Sequence, residues 1–202
     1  MDLGDRRAAL PDRAALRDHR AALRDHLLAH SVLRGSFVLK SGHPSDWFID
    51  AKQTICRPGG TLLVAEAVLE VLPDDATAIG GPTMGADPVA FATAGVAATR
   101  GRALKCFSVR KEAKDHGSGG RIAGALDPGD RVVLVEDATS RGTSLLEAAT
   151  VVADEGAEVV LIVAVVDRGG TCGRLAREAG IEFCALVTAE DLGFDYDGGF
   201  VA

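Results

Sequence analysis

RVVLVEDATSRGTSLLEAATVV, residues 131–152, runs from an apolar stretch through two acids and a loop of small, hydroxyl-bearing residues into a helical pattern. Val132, Val133, Leu134 and Val135 are mostly β-branched, as in a parallel strand covered on both faces, and Glu136 and Asp137 are expected to end it. From Ala138 to Ser144 the side chains are short, so backbone N–H groups can approach a ligand closely. The helix predicted from about Ser144 directs its positive dipole end at the same place. A phosphate monoester fits such a loop. The two acids stand where they can accept hydrogen bonds from a sugar diol beside that phosphate, directly or through a bound cation. An acid ahead of a serine often does no more than cap the next helix, but two acids followed by T-S-R-G-T-S exceed what one cap requires. Two rival phosphate motifs are absent. GGPTMGAD at residues 80–87 lacks the lysine of G-x-x-x-x-G-K-[ST], and no G-x-G-x-x-G opens a helix after a strand.

On either side of this stretch, apolar β-branched runs alternate with alanine-rich helical patterns. Strands are predicted at 76–80, 104–109, 132–135, 159–166 and 182–187, and helices at 62–72, 87–98, 144–155 and 174–179. The alternation predicts an α/β domain whose central parallel sheet has helices on both faces, with any ligand outside the carboxyl ends of the strands. Residues 1–30 read as a charged helical extension containing RAALRDH twice, from Arg13 and from Arg20. Leu16, Leu23 and Leu27 would form its apolar stripe, and two heptads are too few for a coiled coil.

A chain of 202 residues can build one good-sized core, and a mean hydropathy of +0.15 is that of a soluble protein. A net charge of −7 argues against general affinity for nucleic acid. Cys56, Cys106, Cys172 and Cys184 lie far apart without a C-x-x-C pair, which predicts free thiols in a reducing cytoplasm. Charges scattered through the amino terminus break any secretory core, and the longest apolar run, 159–166, falls far short of the roughly 20 residues needed to cross a bilayer.

Two further segments stand out. RKEAKDHGSGG, residues 110–120, gathers three cations and a histidine in a glycine-ended loop of an otherwise acidic chain. Such a cluster ordinarily faces water, but beside a phosphate site it suits a pyrophosphate. FVLKSGHPSDWFID, residues 37–50, reads as a strand, a turn and an aromatic pair, which alone could be core packing.

Together these segments resemble the type I phosphoribosyltransferases, and within them the orotate phosphoribosyltransferases. Residues 131–144 are similar to the phosphoribosyl pyrophosphate (PRPP) signature. RKEAKDHG matches the flexible-loop pattern R-K-x-x-K-x-H-G at every specified position, and FVLKSGHPS resembles F-x-L-K-S-G-x-x-S. Asp167-Arg168 matches an Asp-Arg pair after a late strand. One departure is the loop at 80–88, which has no lysine where many relatives carry one.

The resemblance implies the type I phosphoribosyltransferase fold, with a small hood from about 31–60 and 188–202 in a domain of residues 31–202. It implies transfer of ribose 5-phosphate from PRPP to orotate, giving orotidine 5′-monophosphate and pyrophosphate in de novo pyrimidine synthesis. Lys114 would stabilise the departing oxygen, with Lys40, Arg110, Lys111 and His116 on PRPP or pyrophosphate. Glu136 and the catalytic Asp137 would hold the ribose hydroxyls. Ala138, Thr139, Ser140, Arg141, Gly142, Thr143 and Ser144 would surround the 5-phosphate. Trp47, Phe48 and Ser140 would line the orotate site, and Arg168 would meet the orotate carboxylate. Mg²⁺ would be held by PRPP and pyrophosphate rather than directly by the protein. A homodimer is implied, with the loop at 110–120 reaching the partner's site. The rival readings are a purine or uracil phosphoribosyltransferase, which RKEAKDHG and Asp167-Arg168 disfavour, and a PRPP-sensing regulator, disfavoured by the low basic content and the absence of an appended DNA-binding segment.

Overall fold

The apolar run that opens the 131–152 stretch forms the middle of a sheet. In a computed structural model, describing residues 13–38, 42, 44–113 and 120–196, strand β6 is Arg131–Thr139. The elements before it are α1 (Arg13–His30), β1 (Val32–Val38), β2 (Pro44–Ile49), α2 (Lys52–Ile55), α3 (Pro58–Val71), β3 (Ala78–Pro82), α4 (Ala86–Thr99), β4 (Lys105–Val109) and β5 (Ile122–Gly124). After it come α5 (Thr143–Asp154), β7 (Glu158–Asp167), α6 (Cys172–Glu178), β8 (Glu182–Thr188) and a 3₁₀ turn, Glu190–Leu192.

Six of the described strands form one sheet in the order β5-β4-β3-β6-β7-β8, with every pair parallel except the edge pair β4 and β5. Successive residues of β6 point to opposite faces, and both faces are covered. Val133 and Val135 pack with Leu23, Leu27, Val64, Val68 and Val89 beneath α1, α3 and α4. Val132 and Leu134 pack with Phe107, Leu145, Ala148 and Val152 beneath α5. The predicted two-sided α/β sheet is therefore the observed one.

The expected end of the strand at Glu136 is corrected. β6 continues through both acids, pairing Glu136 with Ala164, Ala138 with Val166 and Thr139 with Asp167 on β7. The reason is that a parallel neighbour of ten residues offers ladder partners past the point where the apolar run stops. β5 and α2 were not anticipated, because three and four residues respectively are too short to show a period.

Helix α1 belongs to the main core, since Leu23 and Leu27 are fully buried. The side chain of Leu16 lies outside the described residues. β1 and β2 form a separate antiparallel hairpin, with Arg34 opposite Trp47 and Phe37 opposite Ser45. No described helix is long and apolar enough to cross a membrane.

Candidate active site

The parallel registers bring the chemistry-bearing residues to one end of the sheet. Val109 is level with Pro82, Gly80 with Leu134, and Thr139 with Asp167, so β4, β3, β6 and β7 present their carboxyl ends together. The acid pair, the residues after Val109 and Arg168 all emerge from that edge, where open α/β sheets bind ligands.

At the end of β6, Thr139 is buried while Ser140, Arg141, Thr143 and Ser144 are exposed. Gly142 turns the chain in the left-handed region (φ 81°), and α5 begins at Thr143 with no side chain capping it. The N–H groups of the first helical turn have no intrahelical partners. Four exposed polar residues stand beside them, as at an anion-binding helix start.

The two acids differ in their surroundings. Asp137 accepts a hydrogen bond from Lys52 Nζ at 2.5 Å, and its other oxygen takes the Ala138 N–H at 2.9 Å. Glu136 has no such cation to itself. Burial pushes its carboxyl up to about 8, the adjacent charges of Asp137 and Asp87 add to the rise, and Lys52 opposes it. The pair is therefore one hydrogen-bond acceptor held by an ammonium and one carboxyl poised near neutrality. The loop after β3 closes over them: a Cβ on Gly85 would stand 2.3 Å from Asp137 Oδ1 and 2.6 Å from Glu136 Oε1. Thr83, whose hydroxyl donates to Asp87 at 2.7 Å, belongs to the same turn, so backbone and acids are in direct contact.

Arg168 is fixed from several directions. Its N–H donates to the Thr139 carbonyl at 2.8 Å, tying it to the strand that carries the acids. Its guanidinium donates to Ser45 Oγ at 3.1 Å and the Trp47 carbonyl at 2.7 Å, and lies 4.5 Å over the Trp47 ring and 5.7 Å from Phe48. Asp167 shapes the turn that presents it, accepting the N–H groups of Gly169 at 3.2 Å and Gly170 at 2.9 Å. Burial raises the Asp167 carboxyl, and those two N–H donors oppose the rise. The phosphate-type loop is braced by the same turn. A Cβ on Gly169 would stand 1.9 Å from the Ser140 carbonyl oxygen, and the Thr171 hydroxyl donates to that oxygen at 3.0 Å.

Of the residues singled out in the sequence, Glu136 through Ser144, Arg168, Trp47 and Phe48 gather around this edge. Trp47 and Phe48 take opposite faces of β2, as neighbours on a strand must. Trp47 is buried to 1% exposure while Phe48 is 38% exposed, so the open aromatic surface is that of Phe48. Arg110 and Lys111 follow β4, and the backbone at Arg110 is clamped to Arg121 by an N–H bond to its carbonyl at 2.8 Å and a return bond from Arg121 Nε at 2.7 Å. Lys40, Lys114 and His116 lie outside the described residues. Sequence reasoning missed Lys52. It stands 85 positions from its partner Asp137, and one lysine in DAKQT carries no local signal of that pairing. All four cysteines are free, and Cys172, beneath the loop at Gly142, is pushed up to about 11 by burial.

No family model matches the chain. An orotate phosphoribosyltransferase of Streptomyces avermitilis is 39% identical over 167 residues, covering 82% of this chain and 92% of that protein. Among solved structures, an orotate phosphoribosyltransferase of Mycobacterium tuberculosis in complex with Fe(III) dicitrate superposes with a TM-score of 0.78 at 34% identity, covering 87% of this chain and 99% of that one. The same organism's enzyme in complex with PRPP gives a TM-score of 0.73 at 32% identity, with 87% and 99% covered.

Proposed function

Because this chain belongs to the orotate phosphoribosyltransferase family, with its type I phosphoribosyltransferase fold, we propose that it transfers ribose 5-phosphate from PRPP to orotate, giving orotidine 5′-monophosphate and pyrophosphate. One observation carries the reading. An acid pair, an open loop at a helix start and a fixed arginine meet at the carboxyl ends of adjacent strands, matching the sugar diol, the 5-phosphate and the base carboxylate of the two substrates.

In the reaction the bond from ribose C1 to pyrophosphate breaks, a bond from C1 to an orotate ring nitrogen forms as that nitrogen gives up its proton to the departing pyrophosphate or to solvent, and positive charge develops on the sugar between the two events. The protein needs cations for the leaving group more than it needs a nucleophile. Asp137 and Glu136 accept hydrogen bonds from the ribose hydroxyls. Residues 138–144 take the 5-phosphate through N–H and hydroxyl donors. Arg168 presents a planar fork to the orotate carboxylate, with Phe48 as the aromatic wall beside it. Arg110, Lys111, His116 and Lys40 hold the pyrophosphate, and Lys114 meets the oxygen that leaves. Closure of the loop at 110–120 excludes water from a sugar that would otherwise hydrolyse.

The donor set fits a magnesium ion carried by the substrate. The nearest protein carboxylates are Asp137, already neutralised by Lys52, and Glu136, held toward its neutral form. When bound with PRPP, such an ion would supply charge neutralisation to the pyrophosphate. In this proposal the enzyme is a cytoplasmic homodimer whose basic loop completes the partner's site.

The test is incubation with PRPP, magnesium and orotate, following loss of orotate absorbance and release of pyrophosphate, with uracil and hypoxanthine as competing bases. Orotate-dependent turnover, lowered about 10²- to 10³-fold in Lys114→Ala, is the expected result. Turnover with another base and none with orotate would overturn the substrate assignment.

A further inference from the structure

Phe194 lies beyond every motif quoted above, yet it touches the base-recognition arginine through one intermediary. Its ring is 8% exposed and stacks on Trp47, with centroids 4.4 Å apart and planes inclined by 6°. The Arg34 guanidinium lies 4.5 Å over the Phe194 ring, and Arg34 is the β1 residue directly opposite Trp47 in the hairpin. The same indole carries Arg168 at 4.5 Å. A continuous series of stacked contacts, Arg34, Phe194, Trp47 and Arg168, thus joins the hairpin, the carboxyl-terminal segment and the loop after β7.

That segment grips the Arg168 turn at two more points. The Ala189 N–H donates to the Asp167 carbonyl at 2.9 Å, and the Tyr196 ring lies against Gly170, where a Cβ would stand 3.0 Å from it. Two-pronged recognition of a planar carboxylate depends on the tilt of the guanidinium, because rotation breaks one of the two parallel bonds. Here the guanidinium, hydrogen-bonded to Ser45 and the Trp47 carbonyl, also lies against the indole face, and the phenyl ring lies parallel to that indole.

We infer that Phe194 is a positioning residue for base recognition: by holding the Trp47 ring it fixes the plane of the Arg168 guanidinium that meets the orotate carboxylate. The inference rests on the role given to Arg168 in the proposed function.

Trp47 is the single tryptophan of the chain, so its emission reports this contact without interference. The experiment compares wild type, Phe194→Leu and Phe194→Tyr in steady-state kinetics and tryptophan emission. Phe194→Leu is expected to raise the KM for orotate about three- to tenfold, to leave kcat and the KM for PRPP unchanged, and to shift Trp47 emission to the red. Phe194→Tyr restores both readouts. A folded Phe194→Leu protein with wild-type orotate KM, or one whose PRPP KM rises in step, overturns the inference. Should Phe194→Leu fail to fold, Arg34→Met removes only the outermost contact: a raised orotate KM supports the series, and an unchanged one refutes it. Absence of orotate turnover in wild type, by contrast, removes the proposed function itself, while turnover in wild type with no effect at Phe194 removes the inference alone.

Discussion

Glu136 and Asp137 are chemically similar neighbours made different by what surrounds them. The Glu136 carboxyl is pushed up to about 8, chiefly by burial, so the folded chain binds its proton more tightly than the unfolded chain does. Its contribution to stability is fully present below the unfolded pKa of roughly 4.5 and is lost as pH rises through about 8. Glu136→Gln should therefore melt higher than wild type at pH above about 8, with the difference vanishing towards pH 4.5; parallel melting curves across that range would refute the buried, shared environment. Lys52 provides the compensating charge. Its replacement by methionine leaves the Asp137 carboxylate without its cation where a polyanionic substrate must bind, so Lys52→Met should raise the KM for PRPP roughly tenfold, with Lys52→Arg retaining most of the affinity. Equal PRPP kinetics in wild type and Lys52→Met would show that the ion pair is only structural.

At the scale of elements, the site depends on two loops pressed together, the one after β6 and the one after β7. Gly169 has no room for a side chain, since the obstructing atom is the backbone carbonyl of Ser140 at 1.9 Å from an added Cβ. Gly169→Ala must separate the two loops, at a cost of roughly 1–3 kcal/mol by overpacking, and should weaken binding of both substrates. Chemical denaturation checks the first effect and initial rates the second; a wild-type denaturation midpoint would refute the close approach. The sheet's strands were readable because short apolar, β-branched runs alternating with alanine-rich helical patterns mark them. β5 was not, having only Ile122, Ala123 and Gly124 and an antiparallel partner. The continuation of β6 through the acids was hidden for a related reason: polar residues at a strand end look like its termination until a longer neighbour is seen to pair with them.

For the molecule as a whole, the proposed assembly makes a prediction that neither loop nor strand alone can test. If the basic loop serves the partner's site, chains carrying Lys114→Ala mixed with chains carrying Asp137→Asn should recover up to about a quarter of wild-type activity, since one site in the mixed dimer is intact and random mixing makes half the dimers mixed. Inactive mixtures, with mixed dimers verified, would refute sharing of the loop. The two-sided sheet, the phosphate-type loop and the acid pair were readable from residues close together in the chain, because strand and helix periods, helix-start chemistry and small-residue loops are local properties of the polypeptide. Packing alone decided the rest. Lys52 meets Asp137 across 85 positions, and Arg168 meets the Trp47 carbonyl across 121. Phe194 comes from the far end of the chain to steady Trp47. Burial, a property of the folded interior rather than of any residue's neighbours in sequence, is what separates the proton affinity of Glu136 from that of an ordinary glutamate.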